Sequence, residues 1–419
     1  MTTAPLTTPG LPAAATPGPT PPPRRATRPM LLLAVLFATI GLLGTACTLI
    51  PNTGPDGDAF YTPPSPLPAG ANGDVVWYHS TTATGAPSSD AWQIMYHSTS
   101  ALGQPNVVTG VVIVPTAAWT GAGPRPIVAF APGTQGLGDQ CAPSKSIATG
   151  TGIGGGEVNA ALNKGWAVAQ TDYEGLGTPG EHTYIVGPAL GHAVLDSVRA
   201  ATRLPFLNLN AKAPVAIWGY SEGGAAAGWA GEIQPAYAPE LNLKGVAAGG
   251  VPADLVAVAN NLDGGLGFGF LAAAAVGFDT AYPELNLNSY LNDAGKTAFA
   301  KGKTMCATEA IATFAYKHVS DYTTSNPLKT STAWQARINA SKLGTVKPPT
   351  AEFLYHGDQD EFIPLAQAQA LKASYCAKGV KVRWQTYGGD HLVVAVSGVN
   401  DATAWIGDRF AGTAAPSNC

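Results

Sequence analysis

The chain has 419 residues and a net charge of −4, and 46% of its residues are hydrophobic against 12% charged. So much apolar sequence excludes disorder of the whole chain, and 23 Lys and Arg against 27 Asp and Glu leave no basic field for a nucleic acid. At this length a large buried core is expected, in one elaborated domain or two.

Residues 1–29 contain nine prolines and no acidic residue, and are expected to be a disordered leader outside any core. Arg24, Arg25 and Arg28 then precede an uncharged stretch that ends in small residues at Ala46. That is the order of a secretory signal, with residues 30–46 as its apolar part. The plainer alternative is a single membrane anchor, because about 20 apolar residues span a bilayer. Gly44-Thr45-Ala46-Cys47 is similar to a bacterial lipoprotein cleavage box, with its leucine, Leu43, one place early. Cys47 is therefore a candidate for lipidation, and the N-terminus or Cys47 a route to membrane association. Loss of residues 1–46 removes three arginines and takes the net charge from −4 to −7. Five cysteines are an odd number for an exported chain. Without Cys47, four remain: Cys141, Cys306, Cys376 and Cys419, whose spacing leaves every pairing open.

Residues 47–73 read as a linker, and the folded part is expected from Asp74. Segments 75–80 and 107–115 carry the β-branched and aromatic runs of strands. Short apolar runs follow at 126–132, 165–171, 213–219, 243–249, 350–356 and 380–388, each ending in a glycine-containing turn. Buried parallel strands look like this, because both faces are covered and no alternation is needed. Helical candidates lie between them at 157–164, 191–204, 221–233, 364–378 and 391–410. The alternation predicts an α/β fold with a largely parallel sheet. Residues 252–343 break the rhythm, being rich in Ala, Gly, Leu and Phe without a strand pattern. They are predicted to form a mostly helical cap over the sheet's carboxyl ends, inserted between core segments 74–251 and 344–419.

The chemistry is expected at Gly219-Tyr220-Ser221-Glu222-Gly223, a Gly-x-Ser-x-Gly that follows a strand and opens an Ala-rich helix. That context makes Ser221 a nucleophile on a sharp elbow. A serine needs a base, and the expected order is serine, acid, histidine. His79, His97, His182 and His192 precede Ser221, His318 falls in the cap, and His356 precedes the best acid. His391, past the last strand, remains. The acid lies in the turn after the 350–356 strand, where Asp358, Asp360 and Glu361 compete. Asp360 is selected to orient His391, with Asp358 as turn former and Asp390 as helix cap. The oxyanion would be held by the backbone N–H of Glu222 and by a donor from Thr134 or Gln135 after the 126–132 strand. The Glu222 side chain reads as a local charge at a helix start. The segment 171–177 lacks the glycine spacing of a dinucleotide site and reads as a structural loop near the pocket. No cysteine pair or histidine cluster has metal spacing, so neither cofactor nor metal is expected.

Four pieces together carry a family likeness: Trp218-Gly-Tyr-Ser-Glu-Gly-Gly224, Thr171-Asp-Tyr-Glu-Gly-Leu-Gly177, Cys141-Ala-Pro-Ser144 and His356-Gly-x-x-Asp-x-x-Ile-Pro364. From residue 75 to 419 the chain resembles the secretory lipases of the α/β-hydrolase fold, which include a fungal lipase A and many actinobacterial exported proteins. The resemblance implies ester hydrolysis on acylglycerols, a cap over an acyl-binding tunnel, and the disulfides Cys141–Cys306 and Cys376–Cys419. Thr134-Gln135 stands where the fungal relative has an acidic residue. The reading is a serine ester hydrolase, secreted or attached to the cell envelope, acting on a lipid or small ester substrate, with the apolar run 262–278 lining its pocket. An acyltransferase or thioesterase would use the same three residues. A non-catalytic lipid-binding lipoprotein is the alternative of another class.

Overall fold

The computed structural model describes residues 52–86, 88–147 and 155–419, with Met1 and Gly18. The rest of the leader, the signal or anchor segment and Cys47 lie outside the described residues. The strands are β1 (Asn52–Thr53), β2 (Val75–Thr81), β3 (Ser89–Thr99), β4 (Pro105–Pro115), β5 (Ile127–Ala131), β6 (Ala167–Thr171), β7 (Pro214–Tyr220), β8 (Asn242–Gly249), β9 (Ala351–Gly357) and β10 (Val382–Tyr387). They form one sheet in the order β1-β2-β3-β4-β6-β5-β7-β8-β9-β10. From β6 to β10 every neighbouring pair is parallel, while β2, β3 and β4 pair antiparallel. This is the α/β-hydrolase fold.

The parallel strands read as continuous apolar runs because helices cover both faces. The first helices are α1 (Pro143–Ile147) and α2 (Gly155–Asn163); on one face, Val215 and Ile217 of β7 share a core with α3 (Gly187–Arg203) and α4 (Glu222–Tyr237). On the other, Ala216, Trp218 and Tyr220 pack with Phe353 and Tyr355 of β9 and with Trp405. Gly219 pairs with Ala131 of β5 and Ala248 of β8, so these strands end level at one edge. After β5 the chain moves to β6 on one side, and after β7 to β8 on the other. The β5/β7 boundary is therefore the topological switch point, where α/β sheets open a crevice at their carboxyl ends.

The cap enters after β8 and is helical, with α5 (Leu255–Leu262), α6 (Phe268–Ala281), α7 (Asp293–Gly302), α8 (Ala307–Phe314), α9 (Val319–Tyr322), α10 (Pro327–Thr330) and α11 (Thr332–Ala340). The Leu343 N–H donates to the Ala253 carbonyl at 3.0 Å and closes its base. Cys141–Cys306 joins the cap to the segment after β5, and Cys376–Cys419 ties the C-terminal residue to α12 (Leu365–Ala377).

Three expectations need correction. The folded part starts before Asp74: Asn52–Thr53 pairs with β2, and Phe60 and Tyr61, in the segment read as linker, are buried. Those aromatics find their pocket in residues remote in sequence, Trp77 and Met95. Strand β3 is missing from the sequence reading because Gln93, His97 and Ser98 interrupt its apolar run. The fold satisfies two of them, Gln93 through the Tyr61 hydroxyl at 2.7 Å and Ser98 through Asp196 at 2.7 Å. The last helix is two, α13 (His391–Ser397) and α14 (Val399–Phe410). They meet at Gly398, where a β-carbon would lie 2.5 Å from the Tyr355 ring.

One buried carboxyl has no ion pair or hydrogen bond. Both side-chain oxygens of Glu352 on β9 lack a partner among the described residues. Burial, and then the nearby Glu232, push its carboxyl well above the ordinary value of 4.5. The folded state thus holds a proton that the unfolded chain releases. Its contribution is complete below about pH 4.5 and is lost as the pH climbs toward the raised folded value. Glu352→Gln keeps the shape and cannot ionise. Its stability relative to the native chain is expected to grow between pH 5 and 8, by at most about 1.4 kcal/mol per pH unit. Urea midpoints at both pH values measure this, and a pH-independent difference would contradict it.

Candidate active site

Ser221 stands between the end of β7 and the start of α4 with φ 62° and ψ −122°. Such a conformation costs a non-glycine residue about 1–3 kcal/mol, and it persists only where the surroundings over-determine it. Here the flanking glycines do so. A β-carbon on Gly219 would lie 2.1 Å from the Gly223 carbonyl oxygen, and one on Gly223 would lie 2.0 Å from the Ala131 carbonyl oxygen. One on Gly224 would meet the Gly249 carbonyl oxygen at 2.3 Å. The Ser221 N–H donates to that same carbonyl at 2.9 Å, and the Ser221 carbonyl accepts from Ala225 at 3.0 Å. The serine is thus pinned at the amino end of α4, where partial positive charge favours a developing anion.

Asp360 and His391 come from the turns after β9 and β10. His391 Nδ1 lies 2.7 Å from Asp360 Oδ2. Asp360 Oδ1 accepts from the N–H groups of Phe362 at 3.1 Å and Ile363 at 2.8 Å. Burial raises the Asp360 carboxyl, but the His391 hydrogen bond and charge and the Ile363 N–H outweigh it and hold the carboxyl below its usual range. It is a buried carboxylate, so Nδ1 carries the proton and Nε2 is left with its lone pair. Tyr220 steadies the imidazole from the elbow, donating to the His391 carbonyl at 2.8 Å with its ring 4.9 Å away. Phe362 packs edge-on from the other side at 5.3 Å. Gly250 leaves room for the ring, since its β-carbon would lie 3.1 Å from His391 Cε1. His391 is therefore beside the segment whose Gly249 carbonyl holds Ser221.

The remaining sequence candidates fall as follows. Asp358 accepts from the Gly389 N–H at 3.0 Å and joins the two turns. Asp390 caps α13 through the Val393 N–H at 2.8 Å, and Glu361 accepts from the His391 N–H at 3.0 Å. His356 is fully buried, 3.4 Å from Asp360 Oδ2, with its Nε2 2.9 Å from the Ile363 carbonyl oxygen. Gly133, after β5, would place a β-carbon 3.9 Å from Ser221 Cβ, so the peptide leading to Thr134 passes the serine. The Thr134 hydroxyl bonds Tyr184 at 2.8 Å, and the Gln135 side chain donates to the Gly133 carbonyl at 2.8 Å. The Glu222 side chain, in the first turn of α4, does not face solvent. It is buried against His182, with Oε1 3.1 Å from Nε2. The loop 171–177 lies close by, with Tyr173 donating to the Pro132 carbonyl at 2.9 Å.

Ser221 and Glu222 open into a cavity of about 110 Å³. Leu262, Phe268, Phe270, Leu271 and Phe278 line it, all within the run 262–278. Tyr184, Ile185 and Phe362 also line it, and sequence reasoning missed them. Ile185, a β-branched residue at φ 60°, had no local signal. An electrophile bound at Ser221 would have an apolar chain in this cavity.

The sequence profile of the secretory lipase family matches residues 142–418. Lipase 5 of Candida albicans is 30% identical over 401 residues, covering 88% of this chain and 84% of that protein. A secreted triacylglycerol lipase of Malassezia globosa is 32% identical over 291 residues, covering 65% and 61%. The X-ray structure of Candida antarctica lipase A superposes with a TM-score of 0.75 at 25% identity, covering 84% of this chain and 85% of that one.

Gly223→Ala is expected to lower ester hydrolysis at least about 100-fold, because displacing the elbow misplaces the serine. Gly156→Ala is the control, since a β-carbon there meets nothing within 4 Å. Initial rates on a soluble ester compare the two, and equal rates would refute the steric account.

Proposed function

This chain belongs to the secretory lipase family and is a carboxylic-ester hydrolase, and from that premise we propose that it is an exported lipase acting on acylglycerols through Ser221, His391 and Asp360. The single observation that carries the proposal is the 2.7 Å Asp360–His391 contact beside the strained Ser221, at the mouth of an apolar cavity. His391 Nε2 takes the Ser221 hydroxyl proton as the oxygen attacks the ester carbonyl. Asp360 keeps Nδ1 protonated and stabilises the imidazolium. The N–H groups of Glu222 and Thr134 hold the oxyanion, with Thr134 favoured over Gln135 by the approach of Gly133 to Ser221. The tetrahedral intermediate collapses to a Ser221 acyl-enzyme as His391 protonates the leaving alcohol. Water, deprotonated by His391, then releases the fatty acid.

Two disulfides support export, because such bonds persist in oxidising compartments. A lipid–water interface is supported by α13. Immediately after His391 it exposes Leu392, Val393 and Val396 at 65%, 49% and 75%, apolar surface that a soluble substrate does not require.

Two tests follow. Over an ester series from acetyl to oleoyl, Ser221→Ala is expected to abolish turnover and Asp360→Asn to lower kcat by about 10⁴. Substantial hydrolysis by purified Ser221→Ala would overturn the assignment. Val396→Asp is expected to slow hydrolysis of emulsified triacylglycerol about tenfold while leaving a soluble short-chain ester unaffected. Equal losses on both substrates would rule out an interfacial role for α13.

A further inference from the structure

The loop between β6 and α3 reaches both sides of the oxyanion site with three side chains. Tyr173 donates to the Pro132 carbonyl at 2.9 Å. Tyr184 bonds the Thr134 hydroxyl at 2.8 Å. His182 Nε2 lies 3.1 Å from Glu222 Oε1, with both side chains 1% exposed. Pro132 and Thr134 belong to the segment after β5, and Glu222 to the elbow after β7. The proposed oxyanion donors, the N–H groups of Thr134 and Glu222, sit on these two separate segments. Tyr173 at φ 70° and Ile185 at φ 60° mark the loop as held in a strained course near both ends.

Hydrogen-bond directions follow from the chemistry of the partners. His182 Nδ1 lies 2.9 Å from the Glu174 carbonyl oxygen, which only accepts, so Nδ1 carries a proton. One further proton then lies between Nε2 and Glu222, on the nitrogen or on the carboxyl, and the pair has no net charge in either form. Burial pushes the Glu222 carboxyl up, while His182 and the Thr134 hydroxyl pull it down without cancelling the rise. Tyr184, which bonds the Thr134 hydroxyl, packs edge-on against His182 with rings 5.9 Å apart, so the imidazole contacts both tyrosines that hold the segment after β5. Tyr173 stacks on His182 with rings 5.9 Å apart and 11° from parallel, fixing the imidazole plane.

We propose that His182 is a positioning residue for ester hydrolysis. It fastens the Glu222 side chain to the loop whose Tyr173 and Tyr184 hold Pro132 and Thr134, and so holds the two oxyanion N–H donors at a fixed separation. The shared proton has a second consequence. A lone Glu222 carboxylate would set negative charge next to the developing oxyanion in a medium of low dielectric, and His182 removes that charge. The inference rests on the Ser221 reading above and assigns a role to a histidine and a loop that reading does not use.

The test measures kcat and KM on a soluble nitrophenyl ester, and the inhibition constant of an alkyl boronic acid, whose serine adduct needs the same donors. His182→Phe, which keeps the stack on Tyr173, and Thr134→Val are each expected to lower kcat about 10- to 100-fold with KM within about twofold. Boronate affinity should fall in proportion to kcat. The double variant should be no worse than the poorer single, because both break one linkage. Glu222→Gln, which keeps the hydrogen bond to His182, should recover most of what Glu222→Ala loses. A native kcat in His182→Phe, or losses that multiply in the double variant, would overturn the proposal. If His182→Phe does not fold, Thr134→Val with the boronate decides alone, and unchanged boronate affinity would overturn it. Activity in Ser221→Ala would instead overturn the reading beneath it, so the two failures are distinguishable.

Discussion

At the elbow, three stretches of backbone meet with no room for a side chain. Gly223 approaches the Ala131 carbonyl so closely that a β-carbon would lie 2.0 Å from its oxygen, and a β-carbon on Gly219 would lie 2.1 Å from the Gly223 carbonyl oxygen. This contact locks the end of β5 against the start of α4. It forces Ser221 to φ 62° and brings Gly133 past its Cβ. The candidate oxyanion segment and the candidate nucleophile are therefore neighbours because of backbone packing, before any side chain acts. The strain at Ser221 is borne by the two fully covered faces of the parallel sheet, whose core leaves the turn no alternative course.

The cap is joined to this elbow more tightly than a hinged lid would be. The Ala307 N–H donates to the Gln135 carbonyl at 2.7 Å, and the Leu137 N–H to the Met305 carbonyl at 3.0 Å. The Cys141–Cys306 bridge closes the same junction across 165 residues of sequence. Cap and candidate oxyanion segment are thus fastened together by backbone hydrogen bonds and a disulfide. Electrostatic help to a developing oxyanion is worth most in apolar surroundings, and apolar residues of 262–278 line the cavity beside Ser221. The loop between β6 and α3 adds a third grip on the same segment, through Tyr173 and Tyr184, while its His182 bonds Glu222 of the elbow.

Much of this arrangement is legible in the residue order, for local reasons. Ser221 needs glycines at fixed offsets, and Asp360 sits in a turn closed by Gly357 and Pro364. His391 follows the last strand, so each leaves a mark within a few residues. The parallel strands mark themselves by short apolar runs closed by glycine turns, and the cap by apolar sequence without a strand pattern. What stays hidden depends on partners far along the chain. Phe60 and Tyr61 look like linker until Trp77 and Met95 are found beside them. Strand β3 looks too polar until Asp196 and Tyr61 supply its hydrogen bonds. Glu222 reads only as a charge at a helix start, because His182, 40 residues away, is invisible from its neighbours. The disulfide pairing is open by spacing, and was supplied by the family resemblance alone.

The central claim is that one serine, made reactive by its place in the fold, forms a covalent acyl intermediate. The most direct measurement is active-site titration with a nitrophenyl alkylphosphonate, followed by mass analysis of the intact chain and its peptides. The account predicts one phosphonyl group per chain, carried on Ser221, with hydrolysis lost in step with labelling. Labelling of a different residue, or full labelling that leaves hydrolysis intact, would contradict it.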